Sequence, residues 1–282
     1  MNSPEIRCVT VFADGPGGGN PAPVVLNAET MRGEEMRAVA ASYGHEAAFI
    51  EPPPPGADLR LRFFVPNHEM EMCGHATVGA VWLLHHLGRL AGDHIRIATL
   101  SGMVEARVDQ GEVEISQLAG RTAMVPDEDV SAILSVLGVK ADALGGAVVN
   151  AATSRAKTLV PLKSAAILNR LVPDFSRMEA LCERLGSTGL YPFALSDEAP
   201  GTFEARQFPK SSGYPEDPAT GIAAAALAFG LLAAGRVKAE DQIRILQGRA
   251  MSRPSAIRVR FARDGAGGVS GCWLGGPVHL AG

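Results

Sequence analysis

The 282-residue sequence predicts an α+β fold in two lobes, and three observations carry that prediction. Short β-rich runs bounded by Gly and Pro recur along the whole chain, only a few stretches carry a helical stripe, and one strand–loop–helix block occurs twice. The length leaves room for two lobes, because single cores stop growing at roughly 250–300 residues.

In the first half the β-rich runs are residues 6–12, 23–26, 47–50, 59–65, 94–100, 103–108 and 113–117. The second half repeats the habit at 147–150, 158–162, 191–195, 203–208, 242–246 and 256–261. Between them, Met31, Met36, Val39, Ala40 and Tyr43 mark one helical stripe. Val130, Ile133, Leu134 and Leu137 mark another, with Asp127 placed to cap it, and Met178, Leu181, Cys182 and Leu185 mark a third. Pro52 to Pro55 read as a stiff surface loop and residues 264–268 as a turn. Residues 1–125 are expected to form an N-terminal lobe, which the C-terminal strand can join, and residues 126–282 a C-terminal lobe.

The repeat pairs RFFVPNHEMEMCGHATVGA (62–80) with RQFPKSSGYPEDPATGIAA (206–224) at a constant offset of 144. Arg62 falls on Arg206, Phe64 on Phe208, Cys73 on Asp217, Val78 on Ile222 and Ala80 on Ala224. Each copy ends a strand, turns through a loop and enters an apolar helix, expected at 77–87 and 220–233. Two similar lobes with a cleft between them follow. A helix start offers free N–H groups and a positive dipole end, so two starts converging on one pocket would suit a carboxylate and an enolate-like intermediate.

Composition narrows the function. Hydrophobic residues at 46% and charged residues at 20% describe an ordinary globular chain. A net charge of −4 without a basic run excludes a nucleic-acid footprint. Met1 to Arg7 lacks the apolar core of a signal peptide, and the longest apolar stretch, 221–234, is too short for a bilayer. A cytoplasmic protein with no membrane partner is expected. Cys8, Cys73, Cys182 and Cys272 lie far apart with no CxxC pair, against a zinc ribbon or a disulfide scaffold. Cys8, Cys182 and Cys272 read as core thiols.

Glu46 follows Tyr43-Gly44-His45 and leads into the apolar Ala47-Ala48-Phe49-Ile50. A carboxylate entering a buried strand has its pKa raised by desolvation, which suits a base that returns its proton; spacing alone favours a strand-end glutamate in solvent. Asp217, in Tyr-Pro-Glu-Asp-Pro-Ala-Thr-Gly, reads equally as a helix-capping carboxylate or a ligand group. His75 follows Gly74 in the matching loop, either bonded locally or polar within a pocket. Cys73 is a buried small residue or a thiol acid–base group, since helix starts depress thiol pKa values. His68, Glu69, Glu71, Cys73 and His75 are rich in metal-ligand types, but their spacing fits no zinc pattern and 68–71 reads as an exposed turn, so no metal is expected. His85 and His86 suit the end of a helix. Gly15-Pro16-Gly17-Gly18-Gly19-Asn20 lacks the Lys-Ser/Thr pair of a phosphate loop and reads as a mobile loop over the pocket.

Four segments, in order, resemble the phenazine-biosynthesis PhzF-like family, relatives of diaminopimelate epimerase. They are Val11-Phe12 through Gly19-Asn20-Pro21, His45-Glu46-Ala47-Ala48-Phe49-Ile50, Cys73-Gly74-His75-Ala76-Thr77 and Glu216-Asp217-Pro218-Ala219-Thr220-Gly221. Gln247-Gly248 and Arg253-Pro254 fit as well. The resemblance implies two pseudo-symmetric lobes, each a mixed sheet curled around a central helix, an active site between them, and a homodimer. It makes Glu46 the general acid/base, with His75 and Asp217 orienting and polarising a small carboxylate or amino-acid-like substrate. Asn20, His45, Cys73, Gly74, Thr220, Gly221 and Ile222 then become substrate contacts. No organic cofactor or metal is implied, and the reaction moves a proton from one carbon to another. Ile222 stands where a serine often follows Thr-Gly, and His45 where a serine is common; both bear on which substrate is taken. Two other readings remain: a two-base epimerase or racemase using Cys73 and Asp217, and a non-catalytic ligand-binding protein on the same scaffold.

Overall fold

The computed structural model describes residues 4–281 and divides into two compact units, Met1–Ser116 with Gly275–Gly282, and Gln117–Leu274. Among the described residues no helix is long and apolar enough to cross a membrane.

The first unit runs β1 (Ile6–Val11), β2 (Asn20–Val25), α1 (Gly33–Tyr43), β3 (Ala47–Glu51), β4 (Leu59–Phe64), β5 (Glu69–Met70), α2 (Gly74–His86), β6 (His94–Thr99), β7 (Gly102–Asp109) and β8 (Glu112–Leu118). β1 pairs antiparallel with β2, β2 parallel with β3, β3 antiparallel with β4, β4 parallel with β6, and β6 antiparallel with β7. α2 is apolar on nearly every side and buried from Gly74 to Val81, as expected of a helix enclosed by its sheet. It packs on β1, β2, β3 and β7. Gly79 permits the close approach: a Cβ there would stand 2.8 Å from Val9 Cγ2 and 3.0 Å from Val11 Cγ2. α1 buries Met36 and Ala40 against Val25, Phe49 and Phe64.

The second unit runs β9 (Arg121–Met124), α3 (Asp127–Leu137), β10 (Val149–Ala152), β11 (Ala156–Pro161), α4 (Ala165–Asn169), α5 (Met178–Arg184), β12 (Gly189–Leu195), β13 (Thr202–Ala205), β14 (Phe208–Pro209), α6 (Gly221–Ala233), β15 (Gln242–Gln247), β16 (Ser255–Arg263) and β17 (Val269–Gly275). The last strand, β18 (Val278–Leu280), returns to the first unit and pairs antiparallel with β1. β10 pairs antiparallel with β11, β11 parallel with β12, β12 antiparallel with β13, β13 parallel with β15, and β15 antiparallel with β16. This is the pairing sequence of β1–β2–β3–β4–β6–β7 over again. α6 takes the place of α2, packed on β10, β11 and β16. The other side of the sheet carries α3 and α5, where Ile133, Leu137 and Cys182 meet Val160, Leu190 and Phe208.

The duplication extends to side chains. In the first unit Arg62 lies 5.1 Å over the Phe64 ring and grips Glu69 through bonds of 2.7 and 2.9 Å. In the second, Arg206 lies 4.9 Å over Phe208 and grips Glu216 at 2.9 and 2.7 Å.

Several sequence expectations need correction. The constant offset holds for these Arg and Phe residues but not for the helices. α2 starts at Gly74 rather than 77 and α6 at Gly221, so the second loop is three residues longer. Cys73 therefore corresponds to Thr220, both standing at the N-cap, and not to Asp217. α3 is preceded by Pro126 as N-cap; Asp127 is its first residue, and Asp127, Glu128 and Asp129 complement the helix dipole. Residues 68–71 are an exposed turn only at their ends, His68 and Glu71, because Glu69 lies half-buried in β5 and holds Arg62. Cys8 is half-buried, not a core thiol. The second unit starts at Gln117, before the expected residue 126, because β9 pairs with β10.

Candidate active site

In the first unit, α1 ends where Gly44 adopts φ 67°, a left-handed turn that suits glycine, and the chain swings through His45 into β3. His45 is half-buried. Glu46 is 8% exposed, directly ahead of the fully buried Ala47, Ala48 and Phe49. The solvent-facing reading of this glutamate is thereby excluded. His75, the second residue of α2, brings its Nε2 to 4.0 Å from Glu46 Oε2, and its Nδ1 lies 3.4 Å from Cys73 Sγ. All three side chains are buried. The hydroxyl of Thr77 donates to the Cys73 carbonyl at 2.7 Å and fixes the helix entrance. Gly74 opens the helix, where backbone N–H groups of the first turn lack intrahelical partners. Asn20 is 2% exposed at the start of β2, opposite Val11.

In the second unit the entrance of α6 is tied by a buried network. Thr220 is the N-cap and donates its hydroxyl to Asp217 Oδ2. Gln247 Nε2 donates to the Asp217 carbonyl at 2.6 Å and to Thr220 Oγ1 at 3.2 Å. Gln247 Oε1 accepts from Tyr191 Oη at 2.8 Å and from the Thr220 N–H at 3.3 Å. Burial, reinforced by the charge of Asp217, pushes the Tyr191 pKa upward, so the phenol stays neutral and remains a donor. Asp217 is buried, and its N–H donates to the Gln207 carbonyl at 3.1 Å. It stands ahead of the cap rather than at it, which removes its capping reading. Gly221 is buried; Thr220 and Ile222 are half-buried. Gly248 adopts φ 76°, and a Cβ there would strike the Arg253 carbonyl and reach 2.8 Å from the Pro218 carbonyl, so only glycine lets Gln247 meet the Asp217 loop.

Of the residues singled out from the sequence, the first unit brings Glu46, His75, Cys73 and Gly74 together, and the second brings Asp217 and Thr220 together beside Gly221. Tyr191 and Gln247 join this network only in the structure. Gln247-Gly248 carried a signal through the resemblance, whereas Tyr191 is one aromatic in an apolar strand and carried none. Among the described residues no group of three or more His, Cys, Asp or Glu is placed to hold a metal ion.

A family model described as phenazine biosynthesis-like protein (PhzC-PhzF) matches residues 9–271. A Deinococcus radiodurans protein named an uncharacterized isomerase is 34% identical over 280 residues, spanning 94% of this chain and 90% of its own. The trans-2,3-dihydro-3-hydroxyanthranilate isomerase of Pseudomonas aeruginosa is 28% identical over 263 residues, 92% of this chain and 90% of its own. The crystal structure of a Bacillus anthracis phenazine biosynthesis protein of the PhzF family superposes with a TM-score of 0.89 at 23% identity, covering 100% of this chain and 98% of that one. That last likeness speaks for the fold.

Proposed function

We propose that this chain, which belongs to the phenazine biosynthesis-like family and is an isomerase, moves a proton between carbons of a small carboxylate, with Glu46 taking and returning it. The observation that carries the proposal is the buried Glu46 carboxylate with the His75 imidazole 4.0 Å away at a helix entrance.

In the forward step the Glu46 carboxylate accepts a proton from a carbon activated by the substrate's carboxyl or enamine group. The electron pair left behind delocalises towards oxygen, and the free N–H groups of the first turn of α2 stabilise the charge. Glu46 then delivers the same proton to a second carbon, so the substrate is rearranged and the enzyme restored. Burial keeps water from taking the proton in between. His75 orients the substrate, and Asp217, steadied by Thr220 and Gln247, polarises it. Asn20, His45, Cys73, Gly74, Gly221 and Ile222 complete the proposed contacts. The named activity of the Pseudomonas relative makes a cyclic, amino-acid-like carboxylate the substrate class to try first.

The contact of 3.4 Å between Cys73 Sγ and His75 Nδ1 supports a second reading, in which Cys73 is one of two bases of an epimerase. An isomerisation assay on trans-2,3-dihydro-3-hydroxyanthranilate and related cyclic amino acids separates the two. The Glu46 reading expects loss of turnover in Glu46→Gln and its retention in Cys73→Ala. The reverse pattern establishes the two-base reading instead.

A further inference from the structure

We propose that the second unit holds a separate binding site for an amphipathic carboxylate, in which an apolar cavity beside the C-terminal half of α6 takes the body of the molecule and Arg236 takes its charge.

The cavity measures about 280 Å³ and lies between α6 and its sheet. Met124 pairs with Val149 across β9 and β10, and Val149 with Leu159 across β10 and β11, so the three side chains share one sheet face. That face looks towards α6, because a Cβ placed on Gly230 would strike Leu159 Cδ1. Phe193 of β12 continues the wall, and the small residues of the helix end leave the space open. An engineered protein cavity of about 150 Å³ takes benzene, so this one has room for an aromatic ring with a short chain. Met124 is 69% exposed at the mouth, an apolar side chain that a bound apolar body would cover. The far end of α6, where Thr220 and Asp217 stand, is about 15–20 Å away along the helix.

The duplicated topology identifies the charge at the rim. Helices α2 and α6 end alike: Gly88 and Gly235 both take φ 65°. The next residue, Arg89 or Arg236, returns its N–H to the carbonyl of Leu84 at 2.8 Å or of Leu231 at 2.9 Å. The two arginines are therefore counterparts. In the first unit Arg89 pairs with Glu5, just ahead of β1, at 3.4 Å. In the second, the chain just ahead of β10 reads Gly145-Gly146-Ala147-Val148 and carries no acid. Arg236 lies 5.8 Å over the Phe193 ring and 5.9 Å over the Phe203 ring, and among the described residues it has no carboxylate partner. Stacking holds the guanidinium over the cavity wall and leaves its edge N–H groups for an acceptor.

An apolar hollow with one guanidinium at its edge selects a molecule with an apolar body and a single anionic end. Arg236 is the one charged residue lining the cavity, so a second negative group would find no cation there. A carboxylate matches the guanidinium fork with two parallel N–H···O bonds and supplies the counter-charge that Glu5 gives to Arg89. None of these residues is a proposed substrate contact, so the site stands independently of the isomerase reading.

The test is a titration of the full chain with 4-phenylbutyrate and with its neutral analogue, 4-phenylbutyramide, read by NMR from isotope-labelled methionine methyl groups. The Met124 signal is identified by its loss in Met124→Leu. In the wild type it is expected to shift and saturate with a Kd of about 1 mM or tighter for the acid. The amide should bind about three- to tenfold more weakly, and the gap should narrow in high salt, as an exposed charge pair requires. Arg236→Met should bind both molecules alike. Ala234→Phe, at an exposed position, should fill the hollow and bind neither. Gly146→Leu fills it from the opposite side, where a Cβ meets nothing closer than Pro161 Cγ at 3.5 Å, and serves should Phe disturb folding. A Met124 signal that neither molecule moves, a wild type that treats acid and amide alike, or a folded Arg236→Met that still prefers the acid overturns the site. A Met124 signal that shifts with protein concentration alone would give the hollow to a second copy of the chain and overturn it as well.

Discussion

His75 Nε2 stands 4.0 Å from Glu46 Oε2, with 5% and 8% of the two residues exposed. That distance is within reach of an ion pair but too long for a direct hydrogen bond, so a small substrate atom or a modest side-chain shift completes the contact. If the two groups act as one unit, their effects should not add. Glu46→Gln is expected to lower kcat by about 10²–10⁴, and His75→Ala by less. The double variant should fall no lower than Glu46→Gln alone, as steady-state kinetics on the three proteins would show. Fully multiplicative losses would mean independent roles.

The Arg206–Glu216 pair predicts a stability effect unconnected with catalysis. Both side chains are about nine-tenths buried, and Arg206 also donates to the carbonyls of Leu168 and Leu171 at 3.2 and 2.8 Å. Glu216→Gln leaves a buried guanidinium without its counter-charge and is expected to cost about 3–5 kcal/mol in urea unfolding. Glu69→Gln should cost under about 1 kcal/mol, because Arg62 is more exposed and keeps Glu51 at 3.1 Å.

Gly248 offers a sharper contrast with Gly44, since both have positive φ. At Gly44 a Cβ meets nothing within 4 Å, so Gly44→Ala pays only for backbone strain, about 1 kcal/mol. At Gly248 the obstacles are the backbone carbonyls of Arg253 and Pro218, which cannot rotate away. Gly248→Ala is expected to cost about 1–3 kcal/mol beyond that strain and to displace Gln247 from Asp217. Chemical denaturation of both variants, with turnover measured alongside, would check it.

Lys157 predicts a pH dependence whose sign can be worked out. Its folded pKa is drawn down to about 8 from 10.5 by burial. Between those values the unfolded chain keeps a proton that the folded chain has released, so this group makes stability rise with pH. Relative to Lys157→Met, the wild type should gain on the order of 3 kcal/mol across the window, measured by urea unfolding at several pH values. The thiols of Cys182 and Cys272, pushed up by burial to about 11 and 12, slope the opposite way there. The difference between the two proteins therefore carries the prediction, not either curve alone.

Much of the fold was legible because alternation in runs such as 59–65 and 103–108 records one wet and one dry sheet face. The helix start at Gly74 is masked in the sequence because Cys-Gly-His-Ala looks like a loop, though small residues there let the helix start be buried. That masked start conceals the three extra residues before α6, and so pairs Cys73 with Asp217 instead of Thr220. β9 escaped notice because all four of its residues are exposed and it has no apolar alternation. Within the site, Glu46 and His75 were found through neighbouring motifs, but the burial of Glu46 depends on the turn at Gly44 and on the packing of β3. Lys157 gave no signal at all. A lysine between Ala156 and Thr158 looks like an ordinary strand edge, yet it is only 5% exposed.

The most direct test of the central claim is carbon-bound deuterium exchange, followed by proton NMR, on cyclic amino-acid-like carboxylates incubated with the protein in D₂O. The wild type is expected to introduce deuterium at an acidic carbon of the accepted substrate, Cys73→Ala to do so as well, and Glu46→Gln to introduce essentially none. Exchange at the wild-type rate in Glu46→Gln would contradict the account, because the proton would then be travelling by a different group.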